Sequence, residues 1–416
     1  MLKLKKNLSK VKLFIMNLLG IAKFLTYGEP IIKTPIAKEI IRLRDLVDKY
    51  NLEEIKVFDA IRINTPPPVL FPSKAKNDLI SPGDYHDFPS IYIAKLDKAK
   101  VYSGTNLIFL KNSVICHDLY NFRQDYTSEE LHGIHTLSCN FTRLARSNKP
   151  TLKEINIEEA ASFNDACASN YAHWLTEVLP RIAVFCSTEQ YKNVPLIVDA
   201  GLHPNIIESL KLIAGLGRKI IYQETAIVIN VERLYVTSVC GYVPFGLRDV
   251  KFDHCSPHGM FSPQSFELLR KNVLPYTKKV SFEKEYKKIY FCRNSQARGF
   301  LNAKEIESII LRKGYEAVYP EKLSFLKQVA LMNKAESVIG ASGSAMANLI
   351  FSPSSTKCTI FVTKVKGVRY WYWKNMLGSK ENIYLVLGKP TEINNIHSDF
   401  TVNPKYIKQV FIHLNR

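Results

Sequence analysis

Ile339-Gly340-Ala341-Ser342-Gly343-Ser344-Ala345-Met346-Ala347-Asn348-Leu349-Ile350-Phe351 is the stretch on which the fold of this chain depends. The apolar run ending at Gly340 reads as a buried strand, small residues make a turn, and a helix is expected to open near Ser344, whose hydroxyl can cap it. Such a strand-turn-helix junction aims backbone N–H groups and the positive end of a helix dipole into the crevice beyond the strand, where anionic phosphate is the usual guest. An ordinary small-residue turn between a strand and a helix would use the same residues.

The flanking sequence places this junction in a series. Residues 288–292 read as a strand, 303–312 as a helix ended by Gly314, and 315–319 as a strand. Ser324 then caps a helix to about residue 333, 337–340 is the strand of the junction, and 357–362 is another strand. Alternation of this kind predicts a parallel sheet with right-handed crossovers, its ligand crevice beyond the carboxyl ends of the strands. Arg293 and the Ser342-Gly343-Ser344 turn stand at two such ends.

Upstream lies a second alternating unit: strand 195–198, helix 205–214 and strand 219–222. Gly215-Leu216-Gly217 lacks the third glycine and the downstream acid of a dinucleotide fingerprint and reads as a helix stop. A helix is expected over 170–185, with Tyr171, Trp174, Leu175, Val178, Leu179, Ile182 and Phe185 on its apolar side. Its polar stripe sets Asn170, His173, Glu177 and Arg181 at i, i+3, i+7 and i+11. Pro180 should kink or restart this helix. A plainer account of the stripe is a solvated face with a Glu177–Arg181 ion pair, worth about 0.2–0.5 kcal/mol.

Residues 241–257 read as a long loop, 263–272 as a helix, and the charged stretch 278–288 as a linker. Near the start, 31–50 is expected to be an amphipathic helix, followed by the breakers Thr65-Pro66-Pro67-Pro68 and Ser81-Pro82-Gly83-Asp84. Residues 91–94, 99–102, 106–110 and 113–115 look like a meander of strands. In residues 1–25, Leu4, Leu8, Val11, Ile15, Leu18, Leu19, Ala22 and Leu25 share one helical face, and Lys5, Lys6, Lys10, Lys12, Asn17 and Lys23 gather opposite. Asn17 and Lys23 interrupt the apolar run and no small-residue cleavage site follows, so the segment reads neither as a membrane span nor as a cleaved signal. It suits a basic helix lying on an anionic membrane surface, or one docked on the protein's own core.

The composition fits a globular chain of two or three domains: 416 residues, 46% hydrophobic and 23% charged, which excludes disordered and fibrous classes. A net charge of +19 favours anionic partners. Nucleic acid is not expected among them, since no run of five basic residues occurs and the aromatics lack basic interleaving. The eight cysteines are scattered without a CxxC pair, as in a reducing compartment. His132, His135 and Cys139, and likewise His254, Cys255 and His258, mimic metal spacing without the paired arrangement of a zinc module, so no metal is expected.

If the two α/β units face each other across a cleft, the first offers His173 and Glu177, and the second offers Arg293, Arg298 and the helix N-terminus at Ser344. One side suits proton transfer and the other phosphate. The imidazole could take a proton while the carboxylate orients it or acts as base itself. Arginines and backbone donors would stabilise a departing diphosphate. The chain has no Asp-x-Asp to chelate a divalent ion against a nucleotide diphosphate, no P-loop and no GxSxG elbow.

The segment Asn170-Tyr171-Ala172-His173-Trp174-Leu175-Thr176-Glu177-Val178-Leu179-Pro180-Arg181 resembles the N-Y-Y-H-W-L-x-E-x-L-P-R signature of glycosyltransferase family 61. A second block of that family is resembled by Tyr290 to Arg293, Arg298, Asn302, Leu323-Ser324 with Gln328, and the stretch from Ala335 through Phe351. Ser342 stands where the family often has a histidine, Ala172 replaces a second tyrosine, and Ala303 follows Asn302 where an acid is common. The resemblance implies a GT-B architecture, two Rossmann-like domains facing across a cleft, here with an N-terminal helical and β extension. It further implies inverting transfer of a sugar from a nucleotide donor and, in bacterial members, a role in capsule, lipopolysaccharide or related surface glycans.

On this reading residues 1–30 are a basic amphipathic segment, 31–277 an acceptor-side domain, 278–288 a linker, 289–390 a nucleotide-sugar-binding domain, and 391–416 a tail returning to the first domain. His173 is the expected base, with Glu177 its orienter or replacement. Asn170 and Trp174 are expected to shape the acceptor side, with Arg181 on the same stripe. Arg293, Arg298, Asn302, Ser342, Gly343, Ser344 and Asn348 are expected on the donor side, Arg298 and Asn348 being equally compatible with structural roles. No cofactor is expected beyond the nucleotide-sugar substrate. The acceptor would be a glycan or lipid-linked, and the enzyme cytoplasmic and peripheral to the inner face of a membrane. Its rivals are a non-catalytic nucleotide-sugar or glycan-binding protein and, further off, a basic nucleic-acid binder.

Overall fold

The computed structural model describes residues 38–416 except 74, 76–82, 122–124, 127–134, 139–143, 148–152, 245, 248–258, 294–298, 365–370, 379–381, 393–397 and 415–416. The basic segment 1–25, Arg298 and the side chains of both His/Cys clusters lie outside the described residues. Among the described residues no helix is long and apolar enough to cross a membrane, and no group of three His, Cys, Asp or Glu side chains could hold a metal ion.

The chain is mixed α/β, built on two large sheets. At the centre of the first lie three long strands, Ile91–Tyr102, Ile227–Thr237 and Lys153–Ser162, the first pair antiparallel and the second parallel. Beyond Lys153–Ser162 the parallel strands Leu196–Asp199 and Ile220–Gln223 extend the sheet, as expected of the upstream α/β unit. On the other side Ile108–Phe109, Ser113–Cys116 and Lys38–Arg42 follow in order, ending in Leu144–Ser147 and His135–Ser138. Two of the three central strands, Lys153–Ser162 and Ile227–Thr237, are absent from the sequence reading, because their charged positions break the alternation that marks a strand.

Three local expectations change. Of the helix expected over 31–50, the described residues 38–50 form the strand Lys38–Arg42 followed by the helix Leu43–Tyr50. Ile40 and Ile41 are β-branched and favour the extended form once Ser113–Cys116 is there to pair with. The separate strands expected at 91–94 and 99–102 are one continuous strand, because the polar interruption Asp97-Lys98 is exposed while the ladder with Ile227–Thr237 continues past it. The expected loop from 241 opens with two short strands: Gly241–Tyr242 pairs with Met260–Phe261, and Gly246–Leu247 with Asp125–Tyr126.

The second sheet holds the parallel series expected between residues 288 and 362 and adds the strand Ile383–Pro390, which the sequence reading does not mark. Glu316–Val318, Lys288–Phe291, Ser337–Ala341, Lys357–Thr363 and Ile383–Pro390 lie side by side and all parallel. Between strands run the helices Ala303–Leu311, Phe325–Lys334 and Trp371–Leu377. Ser324 caps Phe325–Lys334 as its sequence indicates, accepting from the Lys327 N–H. Gly340 sits where a Cβ would lie 2.9 Å from Met346 Sδ and 3.1 Å from Phe291 Cβ, so only glycine lets the turn fold back over the neighbouring strand. Val69–Phe71, from the early part of the chain, joins this sheet in parallel beside Ile383–Pro390.

The C-terminal tail, expected to pack back on the domain of residues 31–277, meets that part of the chain at Val69–Phe71, within the second sheet. Its strand Phe400–Thr401 pairs with the end of Ile383–Pro390, and its helix Pro404–Leu414 packs on Ala303–Leu311 and on the second sheet. Ile407, Val410, Phe411 and Leu414 form the helix's apolar face and find Ile306, Ile310, Tyr384 and Phe71 there. One apolar core joins the two sheets, running from Ile182, Phe185 and Val198 to Ile289, Leu349, Phe351 and Leu385.

Candidate active site

Asn170 begins the helix that carries the conspicuous polar stripe. Its backbone is extended and its Oδ1 accepts from the Ala172 N–H, an N-cap that satisfies one orphan donor. The helix runs as α over Tyr171–His173, as π over Trp174–Val178 and as α again over Leu179–Cys186. Pro180 has no N–H to give. The wide turn accommodates that loss just ahead of it, with the Leu179 N–H reaching back to the Trp174 carbonyl.

Across this irregular turn His173 Nδ1 and Glu177 Oε1 share a short hydrogen bond. Both side chains are largely shielded, with 20% and 13% of their area exposed. The second Glu177 oxygen accepts from the Val243 N–H at 3.4 Å. Burial raises the Glu177 carboxyl above the usual range, and the imidazole only partly offsets it. Burial works against the charged ring of His173, but the facing carboxylate outweighs it and lifts the imidazole above its ordinary value. The two groups form a proton-holding pair, with the imidazole oriented by a carboxylate shielded from bulk solvent.

The fourth stripe member, Arg181, finds other hydrogen-bond partners. Arg181 donates from Nη2 to Asp165 Oδ2 at 3.1 Å and from Nε to the main-chain carbonyl of Glu177 at 3.1 Å, so the ion pair with the Glu177 carboxylate does not form. Asp165 is itself fixed, its N–H donating to Asp199 Oδ2 at 2.9 Å at the end of strand Leu196–Asp199. Trp174 leaves the acceptor side altogether. It is fully buried, and its indole N–H donates to Ser209 Oγ at 2.8 Å. Burial of its ring makes it a core residue, worth about 3–5 kcal/mol against alanine.

The phosphate-type turn sits at the carboxyl end of strand Ser337–Ala341. The Ser342 N–H donates to the Phe361 carbonyl at 2.8 Å, and the Ser342 carbonyl accepts from Arg293 Nη1 at 2.6 Å. Gly343 is extended and closely approached by Arg293, since a Cβ there would lie 3.4 Å from Nη1. The following element, Ser344–Phe351, is a 3₁₀ helix rather than an α-helix, and Gly343 occupies its cap position. Ser344 therefore does not cap it. Its hydroxyl donates instead to Asn170 Oδ1 at 3.2 Å, across to the helix of the His173–Glu177 pair.

Asn348, fully buried, is committed to the protein: Oδ1 accepts from the Tyr171 hydroxyl, and Nδ2 donates to Gln328 Oε1 and to the Ala345 carbonyl. Asn302 is likewise structural, with Nδ2 donating to the Val402 carbonyl and Oδ1 accepting from the Val402 N–H, which ties the tail to helix Ala303–Leu311. The structure thus gathers Asn170, His173 and Glu177 with Ser342, Gly343, Ser344 and Arg293, and assigns Trp174, Asn302 and Asn348 to the scaffold.

Sequence reasoning passes over three contributors. Gly241 lets its strand press on the π turn, for a Cβ there would lie 2.2 Å from the Thr176 carbonyl oxygen. Val243 supplies its N–H to Glu177, and Asp165 holds Arg181. A glycine in a strand can mark a close backbone approach, but Gly241 opens a stretch that reads as a loop, so this signal was weak.

Residues 171–359 match the family model described as Glycosyltransferase 61. The matched span opens at Tyr171 and closes inside strand Lys357–Thr363, so it holds the gathered site apart from Asn170, one residue before it. The match supports glycosyltransferase activity, which in general requires a sugar donor and an acceptor. No curated protein matches the chain.

Proposed function

We propose that this chain is an inverting, metal-independent glycosyltransferase of GT-B type that moves a sugar from a nucleotide-sugar donor to a glycan or lipid-linked acceptor in surface-polysaccharide assembly. One observation carries this reading. The hydrogen-bonded His173–Glu177 pair lies one helical turn from Asn170, and Asn170 touches Ser344 at the start of the phosphate-type turn. On this reading the proton acceptor and the seat for negative charge sit on two segments joined by the Asn170–Ser344 contact.

In the proposed reaction the acceptor hydroxyl gives its proton to the His173–Glu177 pair while its oxygen bonds to the anomeric carbon. The bond from that carbon to the diphosphate oxygen breaks in the same displacement, with inversion, and the electron pair leaves on the diphosphate. The growing charge is met by backbone N–H groups at the start of Ser344–Phe351 and by Arg293, which already braces the turn through the Ser342 carbonyl. The nucleotide would lie beyond the carboxyl ends of the second sheet, the usual ligand position in an open α/β sheet. A net charge of +19 and the basic segment 1–25 suit work at the anionic inner face of a membrane.

The test is transfer and hydrolysis with a panel of nucleotide sugars. His173→Ala and Glu177→Ala are each expected to lower turnover by about 10²–10⁴-fold, the usual contribution of general acid–base catalysis. Wild-type turnover in both variants would remove the pair from the chemistry. The anomeric configuration of the product, read by NMR, decides whether the transfer inverts.

A further inference from the structure

Glu177 also lines a cavity of about 40 Å³, together with Arg181, Asp165, Tyr242, His117 and Thr237 among others. Two of these carry a buried polar atom with no hydrogen-bond partner among the described residues: Thr237 Oγ1 and His117 Nδ1. Thr237 ends the central strand Ile227–Thr237 and is only 3% exposed. The His117 ring packs on Tyr242 with centroids 4.2 Å apart. A buried hydroxyl and a buried ring nitrogen left unpaired each carry a desolvation penalty that ordered water relieves. A water molecule needs roughly 10–15 Å³ of such space and two to four polar partners, so this volume holds about three.

We propose that the cavity is a water chamber in which ordered water links Thr237 Oγ1 and His117 Nδ1 to the buried carboxylate of Glu177, making Thr237 and His117 positioning residues for the proton-accepting pair. The inference rests on the reading of His173 and Glu177 given above. Glu177 is faced by His173 and Arg181 on its own helix, by Asp165 after strand Lys153–Ser162, by His117 after strand Ser113–Cys116, and by Tyr242 of strand Gly241–Tyr242. His117 stays neutral, its pKa pushed down to about 3 by burial and by Arg181 and Arg42, so its Nδ1 can accept a hydrogen bond from water throughout the neutral range. Water that donates to the Glu177 carboxylate stabilises its charged form and offsets part of the burial that raises its pKa.

The test needs no donor substrate. An atomic-resolution crystal structure of the full chain is expected to show ordered water within hydrogen-bond distance of Thr237 Oγ1 and His117 Nδ1 and continuing to Glu177. Infrared titration of the full chain, with the protonated-carboxyl band of Glu177 assigned by its loss in Glu177→Gln, supplies the second readout. Thr237→Val keeps the side-chain shape and removes the hydroxyl, so the Glu177 band should titrate about half a unit to one unit higher. Thr237→Ser should restore the wild-type titration. A dry cavity in the wild-type crystal, or a Thr237→Val protein that folds and titrates like wild type, overturns the proposal. A wet cavity with a shifted titration, found together with full turnover in His173→Ala and Glu177→Ala, would uphold the chamber and overturn the proposed function instead.

Discussion

The Tyr171 hydroxyl donates to Asn348 Oδ1 at 2.9 Å, a bond between residues 177 positions apart. It joins the first turn of the His173 helix to the 3₁₀ helix that follows the phosphate-type turn, and Gln328 holds the other end of the same amide. A part-buried polar contact thus links the two halves of the site beside the apolar core they share.

Removing that contact from its two ends should differ in cost. Tyr171→Phe deletes one hydrogen bond and is expected to lose about 1 kcal/mol of stability. Asn348→Ala leaves both the Tyr171 hydroxyl and the Gln328 amide without their partner in the interior and is expected to lose about 2–3 kcal/mol. Denaturant unfolding of both singles and the double mutant measures the coupling. Strict additivity would mean that the bond does not form.

Stability should fall with rising pH through the His173–Glu177 pair. Both folded-state values are raised, so the folded protein holds protons more tightly than the unfolded chain. The His173 contribution is fully present below the ordinary histidine value of about 6.5 and is lost as pH rises through the folded value. The Glu177 contribution has the same sign and begins to fall from about 4.3, the unfolded carboxylate value. The stability difference between wild type and Glu177→Gln, followed by thermal unfolding across acidic to neutral pH, should therefore decline as pH rises. A difference that is flat or increases contradicts the assigned directions.

Gly241→Ala should damage the site from behind. The new methyl group would meet the Thr176 carbonyl at 2.2 Å, so either the strand or the π turn next to Glu177 must move. A loss of about 1–3 kcal/mol is expected from overpacking, and turnover should fall with it. An alanine variant with wild-type melting temperature and turnover would show that the contact is not tight.

Trp174→Phe separates scaffold from substrate contact. The variant loses the bond from the indole to Ser209 and should cost about 1–3 kcal/mol. Because the ring is buried in the core, the KM for acceptor should stay at the wild-type value. A raised KM with unchanged stability would return Trp174 to the acceptor side.

Four strands of the second sheet, between residues 288 and 363, were legible where Ile383–Pro390 was missed, because each is a short apolar run set off by helices, a local pattern. Val69–Phe71 was not. It follows three prolines, and its ladder partner is Ile383–Pro390, far along the chain, so no local signal marks it. The polar stripe was legible through His173 and Glu177 and failed at Arg181. The π turn Trp174–Val178 adds a residue to one helical turn and rotates the rest of the helix by about 100°, the angle of one residue in an α-helix, which carries Arg181 round to Asp165. Ser344 failed as a cap because a 3₁₀ helix opens there and Asn170 competes for its hydroxyl. Trp174 and Asn348 show the limit of residue type as evidence. Both are polar-capable groups in suggestive positions, and buried partners elsewhere in the chain, Ser209 for one and Gln328 and Tyr171 for the other, decide their use.

The insertion of Val69–Phe71 beside Ile383–Pro390 has a consequence for biosynthesis. This edge strand leaves the ribosome long before the strand it must pair with, and until then its ladder groups have no mate. Its docking waits for nearly the whole chain, so the second sheet closes as a late event that draws the early segment across. A C-terminal fragment begun at the 278–288 stretch would be born with that sheet edge bare, open to pairing with another molecule.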